Sequence, residues 1–458
     1  MKKRREAMAA SAREIRSFRD FLIFIRAELK PKGKLITPFN VISAPVIVLG
    51  IILVAYRMVK GLGSVTNLSQ EFPWGIWIGF DVMTGVAFAG GAYILTFVVY
   101  ILRSEKYHPI VRATVLNGFL AYVFYAGALV IDLGRPWHIF NPIIGNKFGL
   151  YSVLFLVAWH FLLYMTAEFI EISPVFAEWL GWRRVRKILG SLTVGAVIFG
   201  ITLSTLHQSG LGALFLMAKG KIHPLWYTQF IPILFFISSI FGGLSMVIFE
   251  GTISHRVFGH RMDNEHRASH EDIIIGLGKG CAGAMLVYFF LKVLVFIHGK
   301  QWPYLITPWG SWYLIEVVGL VVIPCLLFLR GTIYRNLKII RVAAVLTMIG
   351  IIINRLNYSV IAFKWYVPLP EHYVPHWMEI ETTLAIVFAE IWVFRWIVNR
   401  MPIFQQPPEW ARAVREEIRF ERRLATAQDE RPELISEITL SGSSQHVPAN
   451  RESVPDNP

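Results

Sequence analysis

Residues 73–102 read PWGIWIGFDVMTGVAFAGGAYILTFVVYIL, a stretch holding one ionisable side chain, Asp81. A helix rises 1.5 Å per residue, so a run of this length crosses a hydrocarbon core of about 30 Å with turns to spare. A charge there costs about 2.5–3.5 kcal/mol even on the lenient insertion scale, so Asp81 marks a polar interior. Nine further apolar runs repeat the pattern, at 41–58, 110–133, 150–171, 188–210, 226–252, 274–298, 310–330, 338–363 and 377–398. Several of them also enclose ionisable residues: His160, Glu168, His207, Glu250, Glu316, Arg355 and Glu390. The reading is an all-α integral membrane protein of about ten transmembrane helices, whose business is protons, electrons or a polar ligand.

Composition agrees. The chain is 55% hydrophobic and 17% charged, against about 25% charged for a soluble domain. Its formal charge of +14 is a matter of topology and not of nucleic-acid binding, because no basic–aromatic interleaving accompanies it. Alternate connections are arginine-rich: Arg103, Lys106 and Arg112; Arg183, Arg184, Arg186 and Lys187; Arg256, Arg261 and Arg267; Arg330, Arg335, Lys338 and Arg341. The first forty residues add eleven Lys or Arg. The positive-inside rule then puts both termini in the cytoplasm of a bacterial or archaeal inner membrane. No signal peptide is expected at the start of the chain. Cys281 and Cys325 both sit in apolar runs and cannot build a Cys-rich iron–sulfur or zinc site, so a metal redox centre belongs on another subunit.

Three regions are expected. Residues 1–40 form a basic arm whose Phe18, Phe21, Leu22, Ile25 and Leu29 share one helical face, as in a helix lying on the anionic leaflet of the lipid bilayer. Residues 41–400 are the membrane domain, in which no fixed-period repeat is evident. Residues 401–458 are a polar cytoplasmic tail, helical near 408–428 and disordered at its end.

Toward the outer side the polar residues gather. Asp81, Tyr122, Asp132, Arg135 and His207 all lie in the outer half of neighbouring spans, and Asp132 and Arg135 could equally form an interfacial pair. A quinone head group needs a hydrogen-bond donor at each carbonyl and a titratable group to relay protons, and Tyr, His and Asp supply these. His160 and Glu168, on one face of one span, and Glu250 and Glu390 deeper in, form a candidate proton path. Arg355 requires a buried carboxylate, with Glu316 or Glu381 at similar depth. A bis-histidine haem is disfavoured because His160 and His207 are expected to differ in depth by roughly 10 Å.

The motifs FPWGIWIGFD, SEKYHPIVR, DLGRPW, LHQSGLG with KIHPLW after it, VIFEG, and RLNYSVIAF with PHWMEIE closely resemble the NrfD/PsrC family of respiratory membrane subunits, and within it the HybB branch of [NiFe] hydrogenases. The resemblance covers about residues 38–402. It implies two four-helix bundles plus flanking helices, with no haem or iron–sulfur cluster in the chain. It also implies an iron–sulfur ferredoxin-like partner on the outer face, which exchanges electrons with menaquinone or ubiquinone as substrate. By position, Tyr122, Asp81 and His207 match family residues tied to quinone binding or proton handling. One departure stands out: hydrogenase-type relatives carry an acid where Ser152-Val-Leu-Phe-Leu156 ends in leucine. That leaves room for [NiFe] hydrogenase subunits or, in a sister complex of the Dsr, Hmc or Act type, a multihaem cytochrome as the wider partner. A transporter or structural anchor is the reading from another class, for which paired helix interruptions would be the sign.

Overall fold

The computed structural model describes residues 18–32, 35–144, 149, 151–405 and 410–412. The expected helix near 408–428 and the disordered end of the tail therefore lie almost wholly outside the described residues. Eleven helices organise the rest: α1 Phe18–Glu28, α2 Pro38–Lys60, α3 Trp77–Ile101, α4 His108–Asp132, α5 Val153–Leu180 and α6 Arg183–Leu214. They continue with α7 Ile231–Phe258, α8 Asn264–His298, α9 Pro308–Ile333, α10 Leu337–Ile361 and α11 Trp377–Val398. Among the described residues there is no strand, only an isolated bridge between Ile222 and Phe363. In hydrocarbon a helix satisfies its backbone groups within itself, which is why long apolar runs of this kind fold as helices.

Nine of these helices, α2 to α10, are long and apolar enough to cross a membrane. Helix α11 has the length as well, but carries Glu379, Glu381, Glu390 and Arg395. It packs along α2 and α4, where those charges find protein. Helices α3–α6 form one four-helix bundle and α7–α10 a second, joined where α3 and α6 run against α7. The junction depends on glycine. A Cβ on Gly243 of α7 would lie 2.2 Å from the Gly91 nitrogen of α3, so only a bare backbone permits this approach.

Local chemistry sets the ends. The Thr37 hydroxyl accepts from the Asn40 N–H at 3.2 Å with Pro38 opening α2, and Ser152 caps α5. Gly181 takes a left-handed φ of 73° that turns α5 tightly into α6, a position glycine occupies without strain. At the arginine-rich face, Glu178 of α5 receives Arg112 of α4 at 2.8 and 2.9 Å and Arg186 of α6 at 2.8 Å. Arg112 also donates to the Pro402 carbonyl at 3.0 Å. Three helices of the first bundle and the start of the tail are thereby locked together. Nearby, α1 rests Phe24 on Trp179, with ring centroids 5.1 Å apart, while Arg400 donates to the Glu28 and Lys30 carbonyls.

One short motif nevertheless recurs without a fixed period. Pro73-Trp74-Gly75-x-Trp77-x-x-x-Asp81 recurs as Pro308-Trp309-Gly310-x-Trp312-x-x-x-Glu316. Both copies open a spanning helix, and both acids fall within wide i→i+5 turns, Trp77–Thr84 and Ile315–Val322. Both indoles donate to a neighbouring helix, Trp77 to the Glu379 carbonyl at 3.1 Å and Trp312 to Asn357 Oδ1 at 2.9 Å. A short match at a spacing of a whole bundle escapes a search for fixed periods. It becomes visible once each motif is seen opening a helix of its own bundle.

Candidate functional site

The first bundle brings Tyr122 of α4 and His207 of α6 together. Both are buried, at 0% and 1% exposure, with ring centroids 5.8 Å apart. Phe161 lies 5.2 Å from Tyr122 and 5.5 Å from His207, and Tyr164 stands edge-on to Tyr122 at 4.7 Å. His207 Nδ1 sits 3.2 Å from the Val157 carbonyl of α5. Since a carbonyl only accepts, this contact puts the ring proton on Nδ1 and leaves Nε2 with a bare lone pair. Neither His207 Nε2 nor the Tyr122 hydroxyl has a hydrogen-bond partner. A donor and an acceptor thus stand close together outside hydrogen-bond geometry with the protein, the Ser204 hydroxyl lying near the tyrosine. Gln208 donates to the Val86 carbonyl at 2.7 Å and holds α6 to α3.

Below this pair, toward the arginine-rich face, Glu168 stands against Tyr122 and Tyr164, with Ser204 beside both rings. Both Glu168 oxygens are buried and without hydrogen-bond geometry to the protein. Gly118 makes room for this carboxylate, since a Cβ there would be 2.6 Å from Glu168 Oε1. Glu171 follows, close enough for its charge to bear on Glu168. It lines a cavity of about 250 Å³ that also meets His108, Arg112 and Arg186.

Asp81 belongs to a second row. Its Oδ2 accepts from Thr383 of α11 at 2.9 Å, and its Oδ1 is buried and unpaired. Tyr125, seated on Gly85, lies within electrostatic range of Asp81, Glu390, Glu250 and Tyr122. Glu250 accepts from Asn117 at 2.5 Å and lines a smaller cavity, about 40 Å³, with His270. The four proton-path candidates thus sort into two rows, His160 near His207 and Glu168 near Tyr122, Glu250 and Glu390 on the side of Asp81.

The outer-edge residues part company. Arg135 is exposed, and the cation bearing on Asp132 is Arg57 of α2, 2% exposed and donating to the Leu133 carbonyl. Arg355 makes no direct ion pair with Glu316 or Glu381 among the described residues. Asn354 bridges instead, donating to Glu316 Oε1 at 2.7 Å and accepting from Arg355 at 2.7 Å. Sequence reasoning also missed Tyr164, although it stands four residues from both His160 and Glu168 and so shares their face. Ser204, Tyr125 and Arg57 carried no comparable signal.

The chain was compared with known proteins on this footing. The pattern of the family described as "Polysulphide reductase, NrfD" matches residues 64–362. The chain belongs to the NrfD family. Among relatives of this NrfD-family chain is a protein of Nitratidesulfovibrio vulgaris, named without an activity, that is 43% identical over 376 residues, 82% of this chain and 97% of the relative. The "Probable Ni/Fe-hydrogenase 2 b-type cytochrome subunit" of Escherichia coli is 29% identical, over 82% of this chain and 94% of the relative. The "Menaquinone reductase, integral membrane subunit" of N. vulgaris is 26% identical, over 78% and 89%. The NrfD-family chain is therefore a multi-pass membrane protein with relatives named as subunits of quinone-linked and hydrogenase systems.

One of those names mentions a b-type cytochrome, so the fit to haem matters. The expected depth mismatch between His160 and His207 is corrected here. Helix α6 continues to Leu214, so each histidine lies seven residues inside its helix. The obstacle is lateral: His207 touches the α5 backbone at Val157, and Phe161 and Tyr122 pack on its ring. No gap for a porphyrin remains between α5 and α6, and these residues do not fit a haem. Among the described residues, no group of three or more His, Cys, Asp or Glu could hold a metal ion.

Proposed function

We propose that this chain is the quinone-reactive membrane subunit of a respiratory oxidoreductase complex in a bacterial or archaeal inner membrane. In this reading the arginine-rich face is cytoplasmic, with the basic arm (1–40) and tail (401–458) on that side of the membrane domain (41–400). An iron–sulfur ferredoxin-like partner docks on the outer face, within a [NiFe]-hydrogenase-type assembly or a sister complex with a multihaem cytochrome. Electrons pass between its last cluster and menaquinone or ubiquinone.

One observation carries the reading: Tyr122 and His207 present a hydroxyl donor and a bare imidazole nitrogen, adjacent, buried and unpaired. Quinone and quinol alternate between accepting and donating at the same oxygens, and this pair serves both states. Tyr122 donates to a quinone carbonyl; His207 Nε2 accepts from a quinol hydroxyl. Reduction consumes two electrons and two protons per quinone. In this reading His160 and Glu168 with Tyr164 relay protons at the head group, while Glu250, Glu390 and Asp81 form the second row. Asp132 and Arg135 border the outer entrance.

The assembled complex tests this in membranes. A His207→Ala variant that assembles normally is expected to lose most quinone turnover while the partner's own activity toward an artificial electron carrier persists. Full quinone turnover in that variant sinks the assignment.

A further inference from the structure

The second bundle carries hydrogen-bond donors that the protein itself does not satisfy. Lys292 of α8 is 3% exposed and Arg355 of α10 is 1% exposed. The Lys292 ammonium lies 5.3 Å from the Tyr313 ring centroid and 5.9 Å from that of Tyr288. Among the described residues, Lys292, Tyr288 and Tyr313 make no side-chain hydrogen bond and no ion pair. Arg355 uses its terminal nitrogens on Asn354, Ser238 and the Phe235 carbonyl, but its Nε is buried and unpaired.

The carboxylate of this group is engaged on both oxygens. Glu316 takes Trp226 Nε1 at 2.6 Å and Asn357 on one oxygen, and Asn354 on the other. Three N–H donors occupy three of the roughly four lone-pair sites of this acceptor-only side chain. With Lys292 protonated, two buried cations face one buried carboxylate, a formal charge of +1 inside the bundle. An uncompensated charge in such a place is costly, and donors without acceptors add to the cost.

The sequence repeat sharpens the contrast between the bundles. Asp81, the first copy's acid, keeps an open oxygen, and the open groups near it include both a donor and an acceptor. Glu316, the second copy's acid, has both oxygens engaged, and the open cationic groups of this bundle, Lys292 and Arg355 Nε, can only donate. A neutral quinone carbonyl would accept hydrogen bonds but would leave the excess charge in place. An anion answers both needs.

We propose that the second bundle binds a small monovalent anion of chloride size at Lys292, with Tyr288, Tyr313 and Arg355 Nε as the further donors. Its occupancy neutralises the bundle and holds Arg355, and through Asn354 the Glu316 network, in place. That network forms part of the wall between the bundles, where Tyr358 packs on Phe215 at 5.5 Å and Ser359 lies against Gly79. The assignment does not depend on the quinone reading.

Thermal unfolding of the full chain in mild detergent tests it, with sodium chloride exchanged for sodium gluconate at constant ionic strength. The midpoint is expected to rise by several degrees and saturate as chloride increases, because a ligand that binds only the folded state stabilises by mass action. Bromide should substitute, Lys292→Met should abolish the dependence, and Lys338→Met, at an exposed position, should retain it. A wild-type midpoint indifferent to halide overturns the proposal. So does a Lys292-dependent rise produced by a short-chain quinone and not by halide. Because Lys292→Met may fail to fold, crystals of the wild-type protein soaked in bromide give an independent reading. An anomalous peak beside Lys292 is expected, and its absence there refutes the site.

Discussion

Replacing Tyr122 by phenylalanine should move stability and activity in opposite directions. The hydroxyl is fully buried and makes no hydrogen bond of good geometry in the folded protein, with Ser204 the polar group at hand, so its desolvation is poorly compensated. Such a group costs about 1–3 kcal/mol. Removing it while keeping the ring, which packs on Phe161, Tyr164 and His207, should leave the thermal midpoint unchanged or raise it by a few degrees. When quinone is bound, the same hydroxyl donates in a dry site, where one donor to developing negative charge is worth about 2.7–4 kcal/mol. At about 1.4 kcal/mol per factor of ten, Tyr122→Phe should slow quinone reduction by about 100-fold or more. The assay pairs a detergent melt of the purified protein with quinone reduction by the assembled complex. A lower midpoint with normal turnover would show that the hydroxyl is structural and that the site argument is wrong.

Three further outcomes are expected. Gly243→Ala drives a methyl group into the Gly90–Gly91 backbone of α3 and should destabilise the bundle junction by about 1–3 kcal/mol, read as a fall in detergent-resistant folded protein. Glu178→Ala strands Arg112 and Arg186 at the helix ends. It should cost about 3 kcal/mol, the low end for a broken buried pair because the Arg112 side chain is 22% exposed, and unfolding midpoints check it. His223 is boxed by Trp226, Tyr304, Trp309 and Trp365, and burial pushes its pKa down from 6.5 to about 4. The unfolded chain then binds the proton more readily, so this contribution is complete above pH 6.5 and fades as pH falls toward 4. His223→Phe should flatten the midpoint-versus-pH curve across that window, whereas an unchanged curve refutes the assignment.

Much of the architecture was legible in the residues. Hydropathy alone marks the spans, because hydrocarbon admits only segments that satisfy their own backbone. Arginine placement marks the two faces, and ionisable residues inside apolar runs mark the polar interior. The motifs carry the resemblance to the NrfD family, and the family pattern over residues 64–362 agrees with it. Less legible were the partners of those residues. Arg355 needed an anion, but that Asn354 would stand between it and Glu316 follows from helix phase. Asp132 stands three residues from Arg135 in sequence, yet Arg57 from a distant segment came to it.

Sequence by itself therefore marked ten apolar runs, nine of which form helices apolar enough to cross a membrane, and the groups that must be hidden from lipid. Those are properties of one segment against a uniform solvent, and each run reports them independently. Tertiary structure decided which hidden groups meet: Tyr122 with His207, Asp81 with Thr383, and Lys292 with the rings of two tyrosines. Those meetings depend on how each helix is rotated and which neighbour it packs against. Close-packed small residues such as Gly91, Gly118 and Gly243 set those relations jointly across segments far apart in the chain.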